Sequence, residues 1–190
     1  MKKLFLLLLS VSFCAGLLIS CAKKDNSKNI LTIAASPEPH KAILELVAED
    51  LAKENITLKI TEFTDYVTPN DAVESGEQLA NFFQHVPYME SFNNEHGYHL
   101  VSVGNVHVEP LALYSSKYKS LSEFKVGDTI AIPNDPTNEA RALLLLDSVN
   151  LIMLRNGVGL AATPQDIAEN PLNLQFKDCL LYTSPSPRDR

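Results

Sequence analysis

Arg141 is the side chain of this sequence best placed to grip a small anion. A guanidinium fork beside the unpaired N–H groups of a helix N-terminus suits a carboxylate, which it holds through two parallel hydrogen bonds. The segment AIPNDPTNEARALLLL (131–146) supplies that setting. Ala131, Ile132 and Pro133 make a short apolar run, and Asn134 to Asn138 are a cluster of turn formers. Ala140, Ala142 and four leucines then read as the start of a mostly buried helix. Thr137 or Asn138 is the expected N-cap, with Glu139 in the first turn, where the helix dipole favours an acid. The same spacing allows a plainer role, a surface Arg141 paired with Asp135 or Glu139.

A second group of residues could face that cation. Phe63-Thr64-Asp65-Tyr66 directly follows an expected strand, and Phe82-Phe83-Gln84-His85-Val86-Pro87-Tyr88 lies in a comparable position. Rings gathered at strand ends would make an apolar wall, in the crevice where α/β sheets bind ligands. Phe82, Phe83 and Tyr88 could equally be plain core. His85, His96, His99 and His107 invite a zinc reading, but His-x-x-His without a Glu-x-x-His or Cys pair is a weak signal. Surface or turn histidines are the expectation. No Gly-rich phosphate loop or Gly-x-Ser-x-Gly elbow occurs, so no enzymatic role, cofactor or metal is expected.

These residues need strands and helices to carry them. Ile30 to Ala34 reads as a buried strand, and the turn Ser36-Pro37-Glu38-Pro39-His40 follows it. Ile43, Leu44, Val47 and Leu51 recur at helical spacing, with Glu45, Glu49 and Asp50 on the outer face. Ile56, Leu58 and Ile60 alternate with polar residues as a second strand. A βαβ unit of this kind predicts a mainly parallel sheet. Thr68-Pro69-Asn70-Asp71 opens a short helix, 97–108 and 111–114 look extended, and Ser120 caps another short helix. Thr129 to Ile132 predicts a strand, Glu139 to Val149 a helix, Thr163 to Asp166 the start of a last short helix, and Leu172 to Phe176 a final strand. The lobe boundary is expected at Glu109-Pro110, giving lobe 1 at 30–109 and a partial lobe 2 at 110–178.

The amino terminus speaks to location. Lys2 and Lys3 precede an apolar stretch too short to span a membrane comfortably, as in a signal peptide over 1–20. Leu18-Ile19-Ser20-Cys21 fits a lipobox, in which the Cys21 thiol is acylated, and the polar stretch over 21–29 reads as a tether. An ordinary secretory signal with an incidental cysteine is the alternative. Lipidation of this kind anchors a protein to the cell envelope, periplasmic or extracellular. Loss of Lys2 and Lys3 with the signal leaves 14 basic against 23 acidic side chains, a net charge of −9. So acidic a domain, without a basic aromatic-interleaved stripe, is not expected to bind nucleic acid. Cys14 leaves with the signal and Cys21 carries lipid, so Cys179 has no disulfide partner.

FTDYVTPNDAV (63–73), ANFFQHVPYMESFN (80–93), VHVEPLALYSSKYKSL (106–121) and IPNDPTNEARALLLL (132–146) together resemble the NlpA/MetQ family of methionine-binding lipoproteins. The likeness covers 30–178. It implies an α/β, two-lobed periplasmic-binding-protein-like (type II) fold that closes on L-methionine and delivers it, as a monomer, to an ABC permease in the membrane. It further implies that Tyr66, Phe83, His85 and Tyr88 line the thioether pocket while Asn138 and Arg141 hold the α-carboxylate and neighbouring polar atoms. The chemistry agrees, since a polarizable thioether favours aromatic ring edges and a buried carboxylate needs charged donors. Gln78-Leu79 stands where the family usually has Leu-Asp, and Ala140 where it usually has Gly; both are expected beside the site. Competing readings are an adhesin or scaffold with a vestigial cleft, and a cleft for a methionine-containing peptide or another apolar amino acid. After Asp178 the likeness stops. The segment 179–190, with two Ser-Pro steps and a basic end, resembles translated sequencing-adapter read-through, or else a Pro-rich tail. On the first reading the chain is truncated, and a protein of this length is expected to bind ligand weakly or not at all.

Overall fold

Two small fully buried residues, Ala34 and Ala35, end the strand β1 (Ile30–Ala35) at the centre of a three-stranded sheet. The computed structural model describes residues 29–179. The signal segment 1–20, Cys21, the tether as far as residue 28 and the tail from 180 onward lie outside the described residues. Strands β2 (Thr57–Glu62) and β3 (Ala80–Phe82) flank β1 in the order β2-β1-β3, all parallel, as the βαβ pattern predicts. Helix α1 (Ala42–Lys53) makes the first crossover, with Ile43, Leu44 and Leu51 half-buried and Glu45, Glu49 and Asp50 in solvent. A wide turn, Pro37–Lys41, joins β1 to α1 and leaves His40 buried.

Helix α2 (Thr68–Glu74) starts beside Asp65, whose carboxylate accepts from the N–H groups of Val67 (2.9 Å) and Thr68 (2.7 Å). Helix α3 (Val86–His96) ends at Gly97, whose φ of +69° is the left-handed turn that glycine takes without steric cost. The turn sends Tyr98 back, and its hydroxyl donates to Asp71 Oδ1 (3.0 Å). The sequence reading places 82–88 at a strand end without marking out β3, and it does not predict α3.

The second half is built round aliphatic packing. Strand β4 (Thr129–Pro133) pairs in parallel with β7 (Gln175–Cys179), and helix α4 (Pro136–Ser148) lies between them in the chain. Ile130 and Ile132 of β4 pack with Leu143 and Leu146 of α4 and with Leu151, Ile152 and Leu154, all buried. Burial of each such side chain contributes about 1.5–3 kcal/mol. The short antiparallel pair β5 (Met153–Leu154) and β6 (Ile167–Glu169) closes one side. Leu111 and Leu113 pack against this cluster, whereas Tyr98 packs against the aromatic one of the first half.

Three expectations change. The stretch 97–114 enters no strand among the described residues, and Val101, Val103, Val106 and Val108 stay exposed. Asn93 instead clamps Leu100, donating to its carbonyl (2.8 Å) and accepting from its N–H (3.2 Å). The last strand runs over 175–179 rather than 172–176. Asn170 takes both main-chain groups of Leu174, at 2.8 and 3.0 Å, so that residue cannot join a ladder. Cys179, which the sequence reading gave to the tail, pairs with Pro133 in β7. Among the described residues no helix is long and apolar enough to cross a membrane.

Candidate functional site

The N-cap of helix α4 lies two residues before Thr137 and three before Asn138, the two expected caps. Asp135 is the N-cap, and Pro136 fills the first helical position, where its missing N–H costs nothing. The Asp135 carboxylate accepts from the Asn138 N–H (3.0 Å), from Asn138 Nδ2 (2.9 and 3.1 Å) and from the Thr137 hydroxyl (3.2 Å). With its amide nitrogen so held, Asn138 turns its oxygen to Arg141, and Arg141 Nη1 donates to it at 2.7 Å. Arg141 Nη2 donates to the main-chain carbonyl of Glu109 at 2.8 Å. Arg141 is thus positioned by an amide and a carbonyl, and among the described residues it forms no direct ion pair with Asp135 or Glu139. Two of the guanidinium's five N–H groups are engaged here, leaving charge and donors for an anion.

The rings of Tyr66, Phe83 and Tyr88 form a triangle with centroid separations of 5.6, 6.0 and 6.2 Å. The two longer contacts are edge-on and the shortest is tilted. Phe83 and Tyr88 are buried together with Phe92, and the Tyr88 hydroxyl donates to the Tyr66 carbonyl at 2.9 Å. Burial holds the Tyr88 phenol protonated far above the usual range. Behind the wall lies fully buried Asn70, whose Oδ1 accepts from Asn81 Nδ2 (2.8 Å) and Gln84 Nε2 (2.7 Å). Asn70 Nδ2 returns a bond to Gln84 Oε1 (3.1 Å), so α2 fixes the chain that runs from β3 into His85.

His85 stands at the N-cap position of α3, and its Nε2 is buried without a hydrogen-bond partner among the described residues. Burial, reinforced by the Arg141 charge and partly opposed by Asp135 and Glu109, lowers the proton affinity of the imidazole and favours its neutral form. All six residues singled out as ligand contacts, Tyr66, Phe83, His85, Tyr88, Asn138 and Arg141, line one cavity of about 780 Å³. Leu79 lines it as well, whereas Ala140 is fully buried in the aliphatic core and does not.

The histidines thought of as zinc ligands do not gather. His96 stacks on Phe92 at 4.1 Å, and His99 meets Glu74 through both its ring and its N–H, each at 3.1 Å. His107 lies instead with His40 and Glu109 in the cavity wall, a grouping that sequence reasoning missed. Its members are 67 and 69 residues from His40 in the chain, so no local spacing announces it.

A family model described as NlpA lipoprotein matches residues 31–187. Membrane lipoprotein TpN32 of Treponema pallidum is 47% identical over 168 residues, which are 88% of this chain and 62% of that protein. The D-methionine-binding lipoprotein MetQ of Yersinia pestis is 44% identical over 161 residues, 84% of this chain and 59% of the relative. A solved structure of a nutrient-binding protein from Burkholderia cenocepacia, bound to methionine, superposes with a TM-score of 0.74 at 41% identity. That match covers 79% of this chain and 64% of the other. The chain therefore spans about three fifths of the length of these relatives.

Proposed function

The chain belongs to the NlpA lipoprotein family, with the α/β substrate-binding fold of its relatives, and on that premise we propose that it captures free methionine in its cleft. Lipid on Cys21 would hold it at the cell envelope, and an ABC importer would receive the amino acid. The observation that carries this reading is one cavity with two unlike walls. Arg141, oriented by Asn138 and the Glu109 carbonyl, faces the ligand's carboxylate; Tyr66, Phe83 and Tyr88 face its thioether. A bound ligand would give the His85 nitrogen, unpartnered among the described residues, a polar partner. We divide the chain into lobes at 30–109 and 110–178, one wall on each. A ligand touching both walls binds the closed form alone and so shifts the hinge equilibrium. This is transport chemistry, with no reaction at the bound molecule.

L-Methionine is the expected ligand; relatives named for D-methionine make its mirror image the second candidate. Titration calorimetry of the full-length protein against L-methionine, D-methionine, norleucine and methioninol tests the assignment. L-Methionine should bind saturably, and methioninol, which lacks the carboxylate, about 100-fold more weakly or worse. Norleucine, which lacks only the sulfur, should lose about 0.3–1.5 kcal/mol. Equal binding of methioninol and methionine would overturn the proposed role of Arg141.

A further inference from the structure

We propose that His40, His107 and Glu109 form a site for a divalent transition metal, zinc foremost, in the wall of the cleft. One ligand atom from each of the three falls within 4.8 Å of the others. Zinc bonds of about 2.0–2.2 Å to imidazole and carboxylate place tetrahedral ligands about 3.4 Å apart. The separations found are 2.9 Å from His107 Nε2 to Glu109 Oε1 and 3.6 Å from His40 Nε2 to the same oxygen. Closure on an ion needs shifts of up to about half an ångström at those two contacts, with the two imidazole nitrogens, which lie within 4.8 Å of one another, drawn to the same separation.

The surroundings are those of a ligand set. His40 is buried, and its Nδ1 lies 2.6 Å from the Ser36 hydroxyl. With the proton on Nδ1 and donated to Ser36, the Nε2 lone pair points toward Glu109; this outer bond fixes tautomer and ring orientation in metal sites generally. Phe82 packs edge-on against both imidazoles, at 4.7 and 5.6 Å, and makes an apolar backing. The set of two imidazoles and one carboxylate suits zinc and its transition-metal neighbours better than magnesium or calcium, which prefer oxygen throughout. Three protein ligands leave a coordination position free, and the same three residues line the cleft from which a further ligand would reach it.

The site touches the amino-acid grip through one residue. The Glu109 carboxylate would bind the ion while its carbonyl accepts from Arg141 at 2.8 Å. Metal occupancy would steady that carbonyl and so change the affinity for a carboxylate, and reciprocity requires the amino acid to change metal affinity by the same factor.

The test is titration of zinc chloride into untagged, chelator-treated full-length protein near neutral pH, without amino acid. The expected result is one equivalent bound at micromolar affinity or tighter. His107→Ala and Glu109→Gln, each checked for folding by circular dichroism, should weaken binding roughly tenfold or more. A His96→Ala/His99→Ala variant should bind as before. Absence of saturable binding, or binding untouched in both His107→Ala and Glu109→Gln, would overturn the site. Failure to bind methionine would leave this result standing, so the two proposals fail separately.

Discussion

Of the aromatic wall only Tyr88 rides on a helix, with Phe83 just after a three-residue strand and Tyr66 just before α2, whereas Arg141 rides on a thirteen-residue helix seated on aliphatic side chains. Beside the first wall Asn81 and Gln84, which also line the cavity, are joined to buried Asn70 by bonds of 2.7 to 3.1 Å; beside the second stand Ile130, Ile132, Leu143 and Leu146. Hydrogen bonds are directional and fix where rings point, while apolar packing fixes where a helix lies and leaves its tip to the cap. On the proposed function, closure and discrimination would thus fall to one wall set by geometry and one set by burial.

That contrast can be broken from either side. Removing the cation should have the largest effect: Arg141→Ala is expected to cost about 3–4 kcal/mol of methionine affinity while shifting the melting temperature little. Calorimetry and thermal unfolding on the same variant check both halves of that statement. Leu143→Ala removes a fully buried side chain from the aliphatic side and should cost about 3 kcal/mol of stability in denaturant unfolding. Asn70→Ala strands the amides of Asn81 and Gln84 and should cost about 2 kcal/mol, with methionine affinity falling as the rings lose their brace. Equal damage to affinity from Leu143→Ala and Asn70→Ala would erase the distinction between the walls. Asp135→Ala removes the cap of α4 and should cost about 1 kcal/mol of stability. Because Asp135 also orients Asn138, the variant should bind methionine several-fold more weakly.

The smallest effect is on pH. Burial lowers the proton affinity of both His85 and His40; Arg141 adds to it at His85, and Glu109 partly opposes it at His40. Their unfolded forms take up protons near 6.5, before the folded forms do. Stability is therefore whole above that pH and declines as pH falls below it. Melting temperatures across this range should show the decline, and a His85→Gln variant should show a shallower one.

Much of this was legible in the residues. The period-two pattern of Ile56, Leu58 and Ile60 predicts β2, and the leucines after Ala140 predict α4. The cap of α4 was misplaced although Asp135-Pro136 carried the signal, because Thr137 and Asn138 are also good caps by type. The valines of 101–108 make that stretch look extended, but a strand also needs a partner, and among the described residues 97–114 pair with no strand. The Asn170 clamp on Leu174 moved β7, because a side-chain amide mimics a neighbouring strand and leaves no periodic trace. His40 escaped notice because its partners lie across the fold. Side chains that meet through tertiary structure are not written in local spacing.

In the proposed complex a zwitterion lies between the guanidinium and the rings. A crystal structure of the full-length protein with methionine measures this directly. The account predicts the carboxylate within hydrogen-bond distance of Arg141 and the sulfur against Tyr66, Phe83 and Tyr88. Methionine lying the other way round, or outside the cleft, would contradict it.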